Sequence, residues 1–192
     1  TATLAEAEAM RLPGIRVIRR AQGKGGRGGA CLEGFRAALD TQAELIGEMD
    51  GDFYHEPADL ARLVAALRSA GADFVIGSRY LPGGAPQGWP LRRHIFSRLA
   101  NRFARLVLGV KVSDYTNGFR IYRREVLLAL LQAPYRTTGY ILLSEMLYRA
   151  HRLGYRPAEA PVICVNRKPQ SNFSLREIKD AFLGILAIRF RL

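Results

Sequence analysis

The sequence predicts an α/β protein built on a mostly parallel sheet with flanking helices. Two observations carry that expectation: short apolar runs alternate with amphipathic stretches, and a pair of carboxylates closes one of the runs. Residues 3–10 read as the tail of a helix, and Ile15-Arg16-Val17-Ile18 as a short strand. A glycine-rich segment, 23–29, then leads into a helical pattern over 30–39, where Leu32, Phe35, Ala38 and Leu39 recur at helical spacing. Residues 44–49 read as a strand with Asp50-Gly51-Asp52 at its carboxyl end. Pro57 suits the first turn of the next helix, whose core face is Leu60, Leu63, Val64 and Leu67. DFVIG (73–77) reads as a strand buried on both faces. Strands and helices alternating at this spacing imply right-handed crossovers, and in such sheets ligands bind beyond the carboxyl ends of the strands. Asp50, Asp52 and Arg79 are therefore expected at one edge.

Beyond a Gly/Pro-rich loop, 81–90, a long helix is predicted over 92–108. Ile95, Leu99, Phe103 and Leu106 form its apolar stripe, and Arg98, Arg102 and Arg105 line another face. A polar turn, 113–124, leads into a short strand. Helices around 125–131 and 140–151 and a strand near 160–165 follow. An amphipathic helix from Arg176 closes the chain. The expected organisation is one domain over 1–175, with 176–192 either packed on it or lying in a membrane interface through Ile178, Phe182, Ile185 and Leu186.

The 192 residues carry 29 Lys+Arg against 17 Asp+Glu, a net charge of +12. Hydrophobic residues make up 48% of the chain, which excludes a disordered polyampholyte. The excess of cations favours nucleic acid, anionic lipid or phosphorylated ligands. Nucleic-acid modules interleave aromatics with their cations or carry a docking motif; neither is found, so no nucleic acid is expected. Cys31 and Cys164 have no metal or redox spacing, and a reduced, cytosolic setting follows. No apolar run reaches the roughly 18–20 residues of a membrane span.

Asp50-Gly51-Asp52 is the sharpest chemical feature. Paired carboxylates suit Mg²⁺, which takes one or two carboxylates plus phosphate oxygens, although Asp-Gly is also a common exposed turn. The 23–29 segment is neither a P-loop nor a dinucleotide fingerprint, but Lys24 could reach a phosphate. Nine Lys/Arg and one acid, Asp114, lie between Trp89 and Arg124. Arg92, Arg93 and Arg98 begin a helix, where backbone N–H groups also favour anions. His55, His94 and His151 lack metal spacing and read as structural or surface groups. Glu145 is either a functional carboxylate or a buried, paired one.

MDGDFYHEP (49–57), GSRY (77–80), GWPLRRHIFSRLAN (88–101), SDYTNGFRIYRREVL (113–127), GYILLSEM (139–146) and the VNR…SNFSL stretch (165–175) resemble, in order, the family 2 glycosyltransferases. Within them the likeness is to the dolichyl-phosphate (polyprenyl-phosphate) mannosyltransferase-like group. The resemblance implies a nucleotide-binding fold of the GT-A kind. It implies metal-dependent, inverting transfer of mannose from GDP-mannose to a polyprenyl phosphate at the cytoplasmic face of a membrane. Position by position, it makes Asp50 and Asp52 ligands of Mg²⁺ or Mn²⁺ and, with Gly51, of the donor diphosphate. Arg79 becomes a donor-phosphate contact, Arg167 a mobile-loop arginine closing over the donor, and Arg93 with Ser97 the acceptor-phosphate clamp. Asp50, Asp52, Arg79 and Arg167 are the expected catalytic set. The first strands of the fold are expected to lie ahead of Thr1. Tyr54 stands where relatives often carry a further metal ligand, and the loop after Arg167 lacks the usual glycine. A UDP-sugar donor, or a non-catalytic module binding anionic membranes, is the alternative.

Overall fold

The computed structural model describes residues 6, 8, 10–12, 14–20, 26–135, 137, 139, 141–167 and 175–191. The elements are α1 (Gly26–Leu39), β1 (Leu45–Glu48), α2 (Asp59–Ser69), β2 (Phe74–Ser78), β3 (Ala85–Gln87) and α3 (Leu91–Leu108). They continue as β4 (Arg120–Arg123), α4 (Arg124–Leu130), α5 (Ile141–Arg152), β5 (Pro157–Pro161), β6 (Ile163–Val165) and α6 (Leu175–Arg191).

The main sheet has the order β1-β4-β2-β5. Strand β4 pairs antiparallel with both β1 and β2, while β2 and β5 are parallel, so β1, β2 and β5 share one direction. The α/β class is as the sequence predicts; the reversed β4 makes the sheet mixed. Every residue of β2 is buried, as its unbroken apolar run requires. Side chains alternate between two layers with the strand period of two. Phe74, Ile76 and Tyr122 join the larger core with helices α1 and α3–α6, whereas Val75 and Ile121 pack with Leu63 and Leu67 of α2.

Several local expectations change. Residues 15–18 form no strand: Ile15 and Ile18 are exposed and lie in no ladder. The described part of the glycine-rich segment is helix, because α1 starts at Gly26. Gly28 is required there by a close approach, since a Cβ would meet the Gly139 amide nitrogen at 3.0 Å. The predicted strand near 160–165 divides into β5 and β6, and β6 leaves the main sheet to pair in parallel with β3. Leu60 is exposed rather than in the core. On α3 only Phe103 of the predicted stripe turns inward, meeting Phe182 of α6 at 4.7 Å between ring centroids; Ile95, Leu99 and Leu106 are exposed. Helix α6 is packed on the domain through buried Ile185 and Ile188. Among the described residues no helix is long and apolar enough to cross a membrane.

Candidate active site

The shared direction of β1, β2 and β5 brings their carboxyl ends to one edge. Asp50 and Asp52 follow β1 there, and Arg79 follows β2. Because β4 runs the other way, its preceding loop, 113–119, arrives at the same edge. The expected grouping of Asp50, Asp52 and Arg79 is therefore present, and a second polar loop joins it.

The loop after β1 is held from below. His55 is buried, accepts the Asp50 N–H at Nδ1 (3.2 Å) and faces Asn117 Oδ1 through Nε2 at 2.8 Å. A backbone N–H can only donate, so Nδ1 is the acceptor and Nε2 carries the proton. Burial lowers the His55 pKa, which keeps the ring neutral in that tautomer. Asn117 in turn donates to the Gly77 carbonyl at 2.6 Å, tying the loop to the end of β2. His55 is thus structural, as its isolation in the sequence suggests. Asp52 Oδ1 accepts the Tyr54 N–H at 3.1 Å. Phe53 is 72% exposed and is the one non-glycine residue with positive φ (61°) among the described residues. The Arg167 guanidinium carbon lies 5.7 Å from the Phe53 ring centroid. Val165 N–H donates to the Tyr54 carbonyl at 3.0 Å. These contacts bring Arg167 to the carboxylate loop from the far end of the chain. Lys24 and the segment 168–174 lie outside the described residues.

Arg27, in the first turn of α1, was not legible as a site residue. Its Nη2 reaches Asp50 Oδ1 at 2.8 Å and Glu48 Oε1 at 3.0 Å, and its Nε reaches the same Asp50 oxygen at 3.2 Å. The guanidinium lies on Gly118, where an added Cβ would fall 2.0 Å from Nη2. Burial pushes the Glu48 carboxyl up, against the opposing pull of Arg27 and Arg120. A basic residue inside a glycine-rich segment was the only signal in the sequence.

Arg79 follows the end of β2 at this edge. It is buried, with Nε on Asp114 Oδ2 at 2.7 Å and Nη2 on Asp114 Oδ1 at 2.8 Å. Nη2 also donates to Thr116 Oγ1 (2.8 Å) and Nη1 to the Tyr54 hydroxyl (3.2 Å). A guanidinium forked onto a carboxylate fixes the loop that carries that carboxylate. Its commitment also engages the Tyr54 hydroxyl. Asp114 is wholly buried: desolvation alone would raise its pKa, but Arg79 and the surrounding N–H groups outweigh it and hold the carboxyl below the usual range. Glu159 braces the same loop, accepting from Ser113 N–H (2.9 Å) and Ser113 Oγ (2.6 Å). Arg120 is fully buried and donates to the carbonyls of Asn117, Leu143 and Tyr115.

The predicted acceptor pair is joined to this cluster. Arg93 and Ser97 stand one turn apart on α3. The guanidinium carbons of Arg93 and Arg79 lie 4.2 and 5.0 Å from the Trp89 ring centroid. Ser97 Oγ meets the Tyr80 hydroxyl at 2.5 Å. Glu145 is a buried, paired acid, bound to Arg149 (2.6 Å) and to Thr137 N–H (3.0 Å).

Residues 1–131 match the sequence profile of Glycosyl transferase family 2. The chain belongs to that family. The family 2 chain is 37% identical over 186 residues to a polyprenol monophosphomannose synthase of Mycolicibacterium smegmatis, covering 96% of its own length and 70% of the relative. It is 38% identical over 168 residues to an undecaprenyl-phosphate mannosyltransferase of Micrococcus luteus, covering 88% and 68%. Its fold is shared with glucosyl-3-phosphoglycerate synthase of Mycobacterium tuberculosis, solved with UDP. That match has a TM-score of 0.64 and 21% identity, over 95% of this chain and 64% of that one. Another crystal of the same enzyme holds Mn²⁺, UDP-glucose and glycerol 3-phosphate (TM-score 0.56, 22% identity, 94% and 57% covered). The family 2 chain therefore spans less than two thirds of that structural neighbour.

Proposed function

We propose that this family 2 glycosyltransferase moves mannose from GDP-mannose to the phosphate of a polyprenyl phosphate, with inversion, at the cytoplasmic face of a membrane. The observation that carries the reading is the junction of two phosphate-suited sites. The Asp50-Gly51-Asp52 loop with Arg167 stands on one side, and Arg93 with Ser97 on the other, linked through Trp89, Arg79 and Tyr80. The two relatives named for polyprenyl-phosphate mannose transfer support the acceptor and the sugar.

The donor set fits a hard divalent cation. Among the described residues, neither Asp50 nor Asp52 has its Oδ2 in a hydrogen bond. A Cβ added at Gly51 would meet nothing within 4 Å, so the loop lies open to a ligand. Two carboxylates that belong to no cluster of three or more acidic, histidine or cysteine ligands among the described residues suit Mg²⁺ or Mn²⁺ sharing phosphate oxygens. A cation held there would neutralise charge on the departing diphosphate.

In the reaction, a phosphate oxygen of the acceptor attacks the anomeric carbon as the bond from that carbon to the donor β-phosphate oxygen breaks. The bonding electrons leave with GDP, and the single displacement inverts the centre. An acceptor already ionised needs no general base. Two carboxylates at this edge, buried Asp114 and half-buried Glu159, are engaged in holding loop 113–119. Arg93 and Ser97 position the acceptor phosphate, and Arg167 adds positive charge beside the carboxylate loop. Loop closure through the stretch after Arg167, and a donor contact from Lys24, belong to this proposal.

A donor screen tests it: purified chain, Mn²⁺, a short polyprenyl phosphate, and GDP-mannose against UDP-glucose. Mannosyl transfer from GDP-mannose is expected, and Arg93→Ala should raise KM for the acceptor about tenfold or more while leaving donor KM within about twofold. Transfer from the UDP-sugar alone would overturn the donor assignment. Arg27 gives a separate check. Its cation lies on Asp50, so Arg27→Met is expected to tighten Mn²⁺ binding about threefold or more in the absence of donor, read by calorimetry. Weaker binding would show instead that Arg27 sets the Asp50 rotamer.

A further inference from the structure

Trp89 is the single tryptophan of the chain. It stands directly before Pro90, the extended residue from which α3 begins. On its other side Gly88, at a positive φ of 71°, is tied to Asn166, whose Nδ2 donates to the Gly88 carbonyl at 3.3 Å. The Asn166 N–H donates to the Gln87 carbonyl at 3.0 Å. The indole is thereby held between the stretch that carries Arg167 and the helix that carries Arg93 and Ser97.

Its surroundings are cationic. The guanidinium carbons of Arg93 and Arg79 lie 4.2 and 5.0 Å from the ring centroid, and the His94 ring meets it edge-on at 5.6 Å. Any aromatic ring can carry guanidinium groups on its faces; tryptophan alone adds an N–H at the edge. That N–H, at Nε1, is buried and has no hydrogen-bond partner among the described residues. A buried indole N–H ordinarily finds an acceptor, and one left without is costly. The two guanidinium groups cannot supply it, because they only donate. An anionic oxygen can, and the Arg93 guanidinium attracts it to the same place.

We propose that the Trp89 indole N–H donates to an oxygen of the acceptor phosphate, making Trp89 a third member of the clamp with Arg93 and Ser97. The inference rests on the polyprenyl-phosphate reading and deepens it, because it says how the site tells a phosphate monoester from an alcohol. A guanidinium, a hydroxyl and an indole N–H match the three terminal oxygens of a monoester. A free polyprenol offers one uncharged oxygen and cannot satisfy all three. The acceptor phosphate is assigned rather than the donor's, because Arg93 is the cation nearer the ring, while Arg79 is forked onto Asp114. Nε1 is buried, so the ring edge must open as the phosphate enters. Arg93, resting on the ring, is the group the phosphate draws away.

Two measurements test the assignment. All indole emission of the protein comes from Trp89. Farnesyl phosphate, titrated without donor or metal, is expected to shift that emission saturably, and farnesol is not. Trp89→Phe keeps a ring for the guanidinium groups and removes the N–H. Its dissociation constant for farnesyl phosphate, read by calorimetry, should rise about fivefold or more, with the donor KM within about twofold of the parent's. Equal dissociation constants for parent and variant would overturn the proposal and leave the ring a shelf for cations. So would calorimetric binding to the parent without a change in emission, a result that needs no folded variant. A loss confined to the donor KM would place the indole on the donor phosphate and overturn it equally. A parent that does not bind farnesyl phosphate at all would sink the acceptor reading, and this inference with it.

Discussion

Replacing Asp52 by asparagine is expected to lower kcat/KM for sugar transfer about a thousandfold or more while leaving the melting temperature within about 2 °C. The loss in rate corresponds to roughly 4 kcal/mol of transition-state stabilisation. Asparagine keeps the side-chain oxygen that accepts the Tyr54 N–H at 3.1 Å, so the turn can form as before. It removes the negative charge, and with it the ability to hold a divalent cation against a diphosphate. Asp52 is exposed, so folding does not depend on an ion pair there. Steady-state kinetics on a folded variant, verified by circular dichroism, decides the matter. Activity within tenfold of the parent would remove Asp52 from the metal-binding role, and the proposed mechanism with it.

Asp114→Asn is expected to produce the largest loss of stability, about 3–5 kcal/mol. The pair is buried, and the variant leaves the Arg79 guanidinium charged in a low-dielectric setting with its neutralising carboxylate gone and one of its acceptors replaced by a donor. For a chain of this length the melting temperature should fall by roughly 10 °C. A double variant, Arg79→Met with Asp114→Leu, should recover much of that loss, because no lone charge remains. The pH dependence has a definite sign. Asp114 has its pKa depressed by Arg79 despite burial. Its contribution is therefore present above the ordinary carboxylate range, near 4, and is lost as pH falls through the lower folded value. Denaturant midpoints measured from neutral to acid pH should fall for the parent and fall less for the double variant. Equal slopes would mean that the pair contributes nothing to acid stability.

The legibility of this protein follows from where the physical signal resides. Strand β2 was readable because a strand buried on both faces must be apolar at every position, and 74–76 is such a run. The edge that gathers Asp50, Asp52 and Arg79 was readable because it depends only on strands sharing a direction. Strand β4 was located in sequence, but its reversal was not: RIYR has the same composition whichever way it enters the ladder. Arg79 and Arg167 show the same division among site residues. Both are arginines in loops, and only the partner across the fold makes one a buried strut on Asp114 and leaves the other exposed beside Phe53.

By itself, then, the sequence determined the α/β class, the carboxylate pair at a ligand-binding edge, and the excess of cations suited to phosphate. Those properties are local or additive: periodicity, spacing and charge survive without knowledge of neighbours. Tertiary structure alone decided which amphipathic helix is inward and which outward. Helices α3 and α6 each carry an apolar stripe, and hydrophobic burial is non-directional, so the stripes do not say which face meets the core. Contact between Phe103 and Phe182, and burial of Ile185 and Ile188, resolve it by facing α6 inward and leaving Leu99 and Leu106 of α3 exposed.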